Sequence, residues 1–291
     1  MDKTRKAVTI LGGGTQGTRL AFMWTRKGRP VYLVDQNEQQ LLRARKGIDD
    51  LRSQLQSLWA TSTHWGEVIT TPPKELEQAA SKSWLVLECV PESLKLKRSV
   101  VQELDQISSP ETIVASNSSS YTIEEILEGQ KLKYDDRFAS LHSYWPPETS
   151  GKSTIEVMGS SKTRPEIITR LMEETKKHGF SPFHVRKTST GYIYNRIWAA
   201  IKREALLTLS EGVATPEEID AIFKDVLKTP KGPCEQMDVV GLDVVRDIEQ
   251  HYADVRTGIP EQPRTYLQGM IDQGKLGVKS GSGFYQYGDK I

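Results

Sequence analysis

The chain has 291 residues and a net charge of +1, with 39 Lys and Arg against 38 Asp and Glu. That length buries one large core or two ordinary ones, and the scattered, balanced charge excludes a nucleic-acid-binding face. Two cysteines far apart, Cys89 and Cys234, exclude a disulfide framework and a metal site of cysteine spacing.

In chain order, short apolar runs at Ala7–Leu11, Pro30–Asp35, Trp84–Val90, Thr112–Ala115, Phe138–His142 and Thr154–Met158 read as strands, with Phe183–Arg186 as a last one. Helical stretches alternate with them, the pattern of a parallel sheet with crossover helices. Cys89, inside the third run, is expected in the core. The polar segment from Glu38 to about Trp59 predicts a long helix, followed by a turn at Thr70-Thr71-Pro72-Pro73. Arg164–His178 predicts a helix stopped by Gly179, with Lys176, Lys177 and His178 as cations in its last turn.

From about Lys187 onward only helices follow. Ile193, Ile197, Ile201, Ala205 and Leu209 recur every four residues, which predicts one helix over Gly191–Glu211 with a buried stripe. Gly212 stops it, and Thr215-Pro216-Glu217-Glu218 restarts a helix as a capping box with Pro in first position. The expectation is therefore an α/β domain over residues 1–187 and an all-α domain over 188–291. No apolar stretch is long enough for a bilayer, the first six residues lead directly into a strand, and Gly288-Asp289-Lys290-Ile291 carries no targeting pattern. A soluble, cytoplasmic protein is expected.

Gly12-Gly13-Gly14-Thr15-Gln16-Gly17 fits G-x-G-x-x-G directly after a strand and before a helix. Gly12 permits the tight turn, Gly14 lets the backbone approach a pyrophosphate, and Gly17 allows close packing of helix on sheet. The helix start at Thr15 and Gln16 offers free N–H groups to phosphate. Asp35 ends the second strand, where an acid grips ribose hydroxyls; it repels a 2′-phosphate, and Gln36 and Asn37 supply no cation. The cofactor expected is NAD, on an N-terminal Rossmann doubly wound sheet.

His142 ends one apolar run and Glu156 lies inside the next. Two neighbouring strands can bring the imidazole and the carboxylate together. The carboxylate would then fix the tautomer, favour the imidazolium and leave the other nitrogen to exchange a proton.

These residues resemble the 3-hydroxyacyl-CoA dehydrogenase family over nearly the whole chain. Val90-Pro91-Glu92-Ser93-Leu94-Lys95-Leu96-Lys97 is similar to a loop of that family, which implies Glu92 and Lys97 near the nicotinamide. Ala115-Ser116-Asn117-Ser118-Ser119-Ser120 resembles A-S-N-T-S-S, implying Asn117 beside the cofactor and Ser119 facing substrate. Phe138–His142 resembles R-F-x-x-x-H with its catalytic His, and Ile155-Glu156-Val157 the segment holding the carboxylate partner. Gly191-Tyr192-Ile193-Tyr194-Asn195-Arg196 resembles G-F-I-x-N-R, implying that Asn195 reaches the active site. Gly232-Pro233-Cys234-Glu235, Gly241-Leu242-Asp243 and Leu276–Tyr285 are similar to the family's C-terminal signatures. The resemblance implies a helical substrate domain that forms a homodimer, a small-molecule substrate, and hydride transfer between a 3-hydroxy and a 3-oxo compound. A non-catalytic NAD-binding structural or redox-sensing protein is the alternative, although binding alone needs none of His142, Glu156, Ser119 and Asn195.

Three departures bear on the substrate. The family reads H-F-F-N-P where this chain reads His142-Ser143-Tyr144-Trp145-Pro146, so a Trp replaces a hydrogen-bonding Asn in the pocket wall. The stretch from His142 to Glu156 is longer than the family's, through Glu148-Thr149-Ser150-Gly151-Lys152. Leu51 and Leu58 stand near positions where acyl-CoA members carry Ser and Lys for CoA. Pro146-Pro147 resembles instead the branch acting on small hydroxy acids. Trp59, Trp65 and Trp145 suggest an aromatic-lined cleft for a bulky or ring-bearing substrate.

Overall fold

The computed structural model describes residues 7–55, 64–148 and 153–288. The chain divides into two units, Met1–Tyr192 and Ile193–Ile291, slightly later than the change of pattern expected at 187/188. Trp59, Leu58, the chain termini and the segment 149–152 lie outside the described residues.

The first unit is built on eight strands: β1 (Ala7–Leu11), β2 (Val31–Val34), β3 (Val68–Thr71), β4 (Ser83–Glu88), β5 (Ile113–Ser116), β6 (Phe138–Ser143), β7 (Ser153–Gly159) and β8 (Phe180–Val185). Their order across the sheet is β3-β2-β1-β4-β5-β6-β7-β8. Every pairing is parallel except β6 with β7. Helices α1 (Thr15–Trp24), α2 (Glu38–Leu55), α3 (Leu76–Ser81), α4 (Leu94–Ile107), α5 (Ile123–Leu127) and α6 (Pro165–Lys177) connect them. Alternating strand residues supply two cores. Leu85 and Leu87 of β4 pack with α1, α2 and α6, while Val86 packs with α3, α4 and α5. The order reverses on either side of β1, and such a switch point is where open α/β sheets bind ligands.

Two strand expectations need correction. The Thr70-Thr71 stretch belongs to β3, whose β-branched Val-Ile-Thr-Thr pairs with β2 before Pro72 and Pro73 end it. Strand β8 starts at Phe180, earlier than expected, and contains Pro182. Pro is tolerated there because β8 is an edge strand paired on one side by β7 alone.

His178 also differs from expectation. It follows α6, but instead of serving the helix dipole as a cation it is fully buried with its ring 4.7 Å from that of Trp24. Burial, assisted by the nearby Arg29 charge, lowers its pKa to about 4, so the ring is neutral at physiological pH.

In the second unit, helices α7 (Tyr194–Ser210), α8 (Pro216–Leu227), α9 (Pro233–Val240), α10 (Leu242–Val255) and α11 (Gln262–Asp272) enclose Leu206, Cys234, Met237, Leu242, Val245 and Leu267. Helix α7 starts later than predicted, after Gly191 and Tyr192 at φ +77° and +56°. The expected stripe is buried only in its second half. Ile193 and Ile197 are exposed, and the buried side is Ala199, Lys202, Arg203, Ala205, Leu206 and Leu209. Arg203 is held by two contacts to the fully buried Glu249, at 2.8 and 3.1 Å. The α8 capping box forms as predicted, Thr215 with Glu218.

The C-terminal glycine motif has a packing explanation. The buried Asp238 accepts hydrogen bonds from Phe284 N, Tyr285 N and the Tyr287 hydroxyl. A Cβ at Gly283 would fall 2.0 Å from that carboxylate, so the close approach requires glycine. Among the described residues no helix is long and apolar enough to cross a membrane.

Candidate active site

Helix α1 begins at the end of β1 with Gly14 as its N-cap and no side chain capping it, which leaves its first N–H groups for a ligand. Gly12, at φ +113°, leaves a Cβ no room: it would meet the Cys89 carbonyl oxygen at 2.5 Å. A Cβ on Gly17 would collide with the Gly12 carbonyl, whereas one on Gly14 meets nothing within 4 Å. The loop is thus closed against the sheet and open at the position a pyrophosphate approaches. Thr15 is exposed at its mouth. Asp35 Oδ2 accepts from Gly13 N at 2.7 Å and Oδ1 from Asn37 N at 2.8 Å. A carboxylate has about four acceptor positions, so two remain for a ribose diol. These features fit a bound dinucleotide.

The end of β4 carries a buried charge network. Lys97, 1% exposed, lies 2.9 Å from Glu88 and 3.1 Å from Glu92. Burial alone would lower its ammonium, but the two carboxylates outweigh that and hold it above its ordinary value. Ser116 Oγ donates to Glu88 at 2.6 Å, and Glu92 accepts from Ser118 Oγ at 2.5 Å and Ser120 N at 2.8 Å. Lys97 therefore anchors the loop that presents Ser119, which is itself exposed. Asn117 Oδ1 accepts from Ser143 N and Oγ at 3.0 and 2.8 Å, and Gln16 Nε2 donates to the same Ser143 Oγ at 2.7 Å. Both side chains tie the ends of β5 and α1 to β6.

His142 and Glu156 face each other as register partners on antiparallel β6 and β7. Both are buried, at 4% and 2% exposed. His142 Nδ1 lies 3.9 Å from Glu156 Oε2, adjacent but beyond hydrogen-bond range. The same oxygen accepts from the Tyr144 hydroxyl at 2.5 Å. Tyr144 packs edge-on against the imidazole and Tyr192 stacks on its face, each with ring centroids 4.7 Å away. Tyr192 donates to the Ser118 carbonyl at 2.7 Å, and burial pushes its phenol above the usual range.

Gln16, Glu92, Lys97, Asn117, Ser119, His142 and Trp145 line one cleft of about 370 Å³ in the first unit. Cys89 also lines it, although burial raises its thiol pKa, so it is not simply a core residue. Asn195 belongs to the second unit, half-buried in the first turn of α7. Of the three tryptophans, Trp145 lines the cleft at 64% exposure, under the Arg19 guanidinium 5.3 Å away. Arg19 also pairs with the buried Glu148. Trp65 instead packs on Phe22 at 4.8 Å in the core, so it is no cleft wall. Leu51 likewise packs against the core.

Tyr144 and Tyr192 were missed from sequence. Tyr144 follows a strand end where its direction is not set by alternation. Tyr192 lies in a glycine-led turn fifty residues from His142 along the chain. The only available signal was their replacement of Phe in the motifs H-F-F-N-P and G-F-I-x-N-R.

A glycine loop at the switch point, an acid just past the second strand and an imidazole beside a buried carboxylate define an NAD-dependent oxidoreductase. Residues 7–188 match the family model for the NAD-binding domain of 3-hydroxyacyl-CoA dehydrogenase, and residues 191–287 match its C-terminal domain. The chain belongs to the 3-hydroxyacyl-CoA dehydrogenase family. It is 32% identical to the mitochondrial hydroxyacyl-coenzyme A dehydrogenase of Homo sapiens, over 97% of this chain and 91% of that protein. Among solved structures it is similar to a diketoreductase described as catalysing reactions of dicarbonyl compounds. That likeness has a TM-score of 0.79 and 30% identity, over 98% of this chain and 100% of that one. It is also similar to the (S)-3-hydroxybutyryl-CoA dehydrogenase of Ralstonia eutropha, with a TM-score of 0.84 and 25% identity over 98% and 99% of the two chains.

Proposed function

We propose that this NAD-dependent dehydrogenase interconverts a 3-hydroxy and a 3-oxo compound, with His142 as the proton acceptor and donor. The observation that carries the reading is the buried His142–Glu156 cross-strand pair, of which His142 lines the same cleft as Gln16, Glu92, Lys97 and Asn117. Gly12, Gly14, Thr15, Gln16, Gly17 and Asp35 would hold the dinucleotide, with Glu92, Lys97 and Asn117 shaping its nicotinamide side. NAD, when bound, supplies the hydride acceptor in one direction and the donor in the other. With Nδ1 turned to Glu156, His142 has Nε2 left to take the carbinol proton or to return it to the developing alkoxide. Ser119 and Asn195 would orient the reacting oxygen.

A bulky or ring-bearing 3-oxo compound, not necessarily a CoA thioester, suits Trp145 on the cleft wall and Leu51 packed into the core. The diketoreductase relative points the same way. We further place the protein in the cytoplasm as a homodimer through its helical unit. Exposed Ile222, Val226, Leu227, Val239 and Val240 on α8 and α9 support the dimer, and two unpaired cysteines support a reducing compartment.

The test is NADH oxidation against acetoacetyl-CoA, free 3-oxo acids, 1,3-diketones and cyclic ketones. His142→Ala should slow turnover by about 10²–10⁴-fold while NADH binding is retained. Binding without turnover across the panel would favour a non-catalytic NAD-binding protein, and wild-type turnover in His142→Ala would remove the role given to His142.

A further inference from the structure

The arrangement around Glu156 has a third member. We propose that Tyr144 is a positioning residue of this acid–base array: its phenol engages the Glu156 carboxylate and limits how strongly that carboxylate favours the His142 imidazolium. The inference rests on the role proposed for His142 as proton acceptor and donor.

The geometry is a competition for one oxygen. Tyr144 donates to Glu156 Oε2 at 2.5 Å, while His142 Nδ1 stands 3.9 Å from that atom. Glu156 is 2% exposed, so water does not readily replace a lost partner, and a hydrogen bond drawn by one neighbour lowers what the carboxylate offers the other. The ring cannot easily turn to compensate, because Tyr144 holds its edge and Tyr192 its face. The backbone does not set the separation either, since His142 and Glu156 are direct register partners.

Among the described residues, the charged and titratable groups that face the imidazole come from three elements. Glu156 faces it from β7, Tyr144 from the segment after β6, and Tyr192 from the segment before α7. Across the cleft stand Cys89, Glu92 and Lys97. Lys97 is shared between Glu92 at 3.1 Å and the buried Glu88 at 2.9 Å, so that cluster carries one net negative charge, which Tyr144→Phe leaves unchanged. The family pattern has Phe where this chain has Tyr144, so the ring is the shared feature and the hydroxyl is the addition. No bond is made or broken in the resting contact: the phenol keeps its proton and donates it as a hydrogen bond.

The experiment follows the ring resonances of the five histidines by NMR through a pH titration, with His142 assigned from its loss in His142→Ala. Tyr144→Phe keeps the ring and removes the hydroxyl, so the His142 midpoint should rise by about one pH unit. The same substitution made on Glu156→Gln should add no further movement. An unmoved or lowered midpoint in Tyr144→Phe overturns the proposal, as does an equal rise in the Glu156→Gln background. The titration needs no substrate, so its failure is distinct from failure of the dehydrogenase reading, which is decided by turnover in the wild type and its loss in His142→Ala.

Discussion

The two halves of the cleft are built on different principles. On the cofactor side, Glu88, Lys97 and Glu92 are bound to one another and to Ser116, Ser118 and Ser120, and Asp35 is pinned by two main-chain N–H groups. On the reacting side, His142 Nδ1 makes no hydrogen bond among the described residues, and the carboxylate of Glu156 beside it is engaged by a phenol. A dinucleotide presents the same polar groups at every turnover, so a fixed frame suits it. The proton carrier proposed at His142 would change charge during the reaction, and a fully saturated ring would resist that change. The contrast teaches that rigidity is spent where the ligand is constant.

Removing a strut from the rigid side should have the largest effect. Lys97→Ala leaves Glu88, 1% exposed, buried without its cation, a loss worth about 3–5 kcal/mol of folding stability. Urea unfolding would show it as a lower midpoint, and NADH binding should weaken as the Ser118–Ser120 loop loses its anchor. A stability change under about 1 kcal/mol would mean that the network is not the frame described here.

Acid titration sharpens the same contrast from outside the cleft. His178 has a folded pKa of about 4 against 6.5 for a free imidazole, so the unfolded chain binds the proton first. Its contribution is therefore complete above about pH 6.5 and is lost as pH falls towards 4, about 3 kcal/mol in all. The Glu92 carboxyl behaves differently. Burial raises it, yet the Lys97 charge and the bonds from Ser118 and Ser120 hold it below the ordinary value, so its stabilisation goes only at lower pH. His178→Phe should flatten the fall in Tm between pH 6.5 and 4. If the slope persisted, the charge network at the end of β4 would be yielding first.

The halves also differed in how far they could be read from sequence. Gly12, Gly14, Gly17 and Asp35 announce themselves because a strand, a turn and a helix follow one another without a gap, so spacing alone fixes the geometry. His142 and Glu156 were recognisable as residues, but their pairing depends on an antiparallel register across a lengthened loop. The capture of Glu156 by Tyr144 depends on side-chain direction at a strand end, which alternation does not specify. Elsewhere the misses had local causes. Pro182 hid the start of β8, the prolines after Thr71 hid the end of β3, and the four-residue stripe of α7 ran past the part of the helix that its own unit buries.

The smallest effect should come from Asp35, and it tests whether the cofactor side grips as well as it is braced. Asp35 already accepts from Gly13 N and Asn37 N, so its brace and the ribose contact proposed for it would draw on different lone pairs of one carboxylate. Asp35→Asn keeps the size and one acceptor oxygen but removes the charge. NADH should then bind about tenfold more weakly, close to 1.4 kcal/mol, as expected for losing one charge-assisted hydrogen bond. NADPH should lose less than NADH, because the repulsion of its 2′-phosphate disappears with the charge. Fluorescence titration of both cofactors measures the two changes on one sample. Equal weakening of both would mean that Asp35 only braces Gly13, and that discrimination between the cofactors arises elsewhere on the loop.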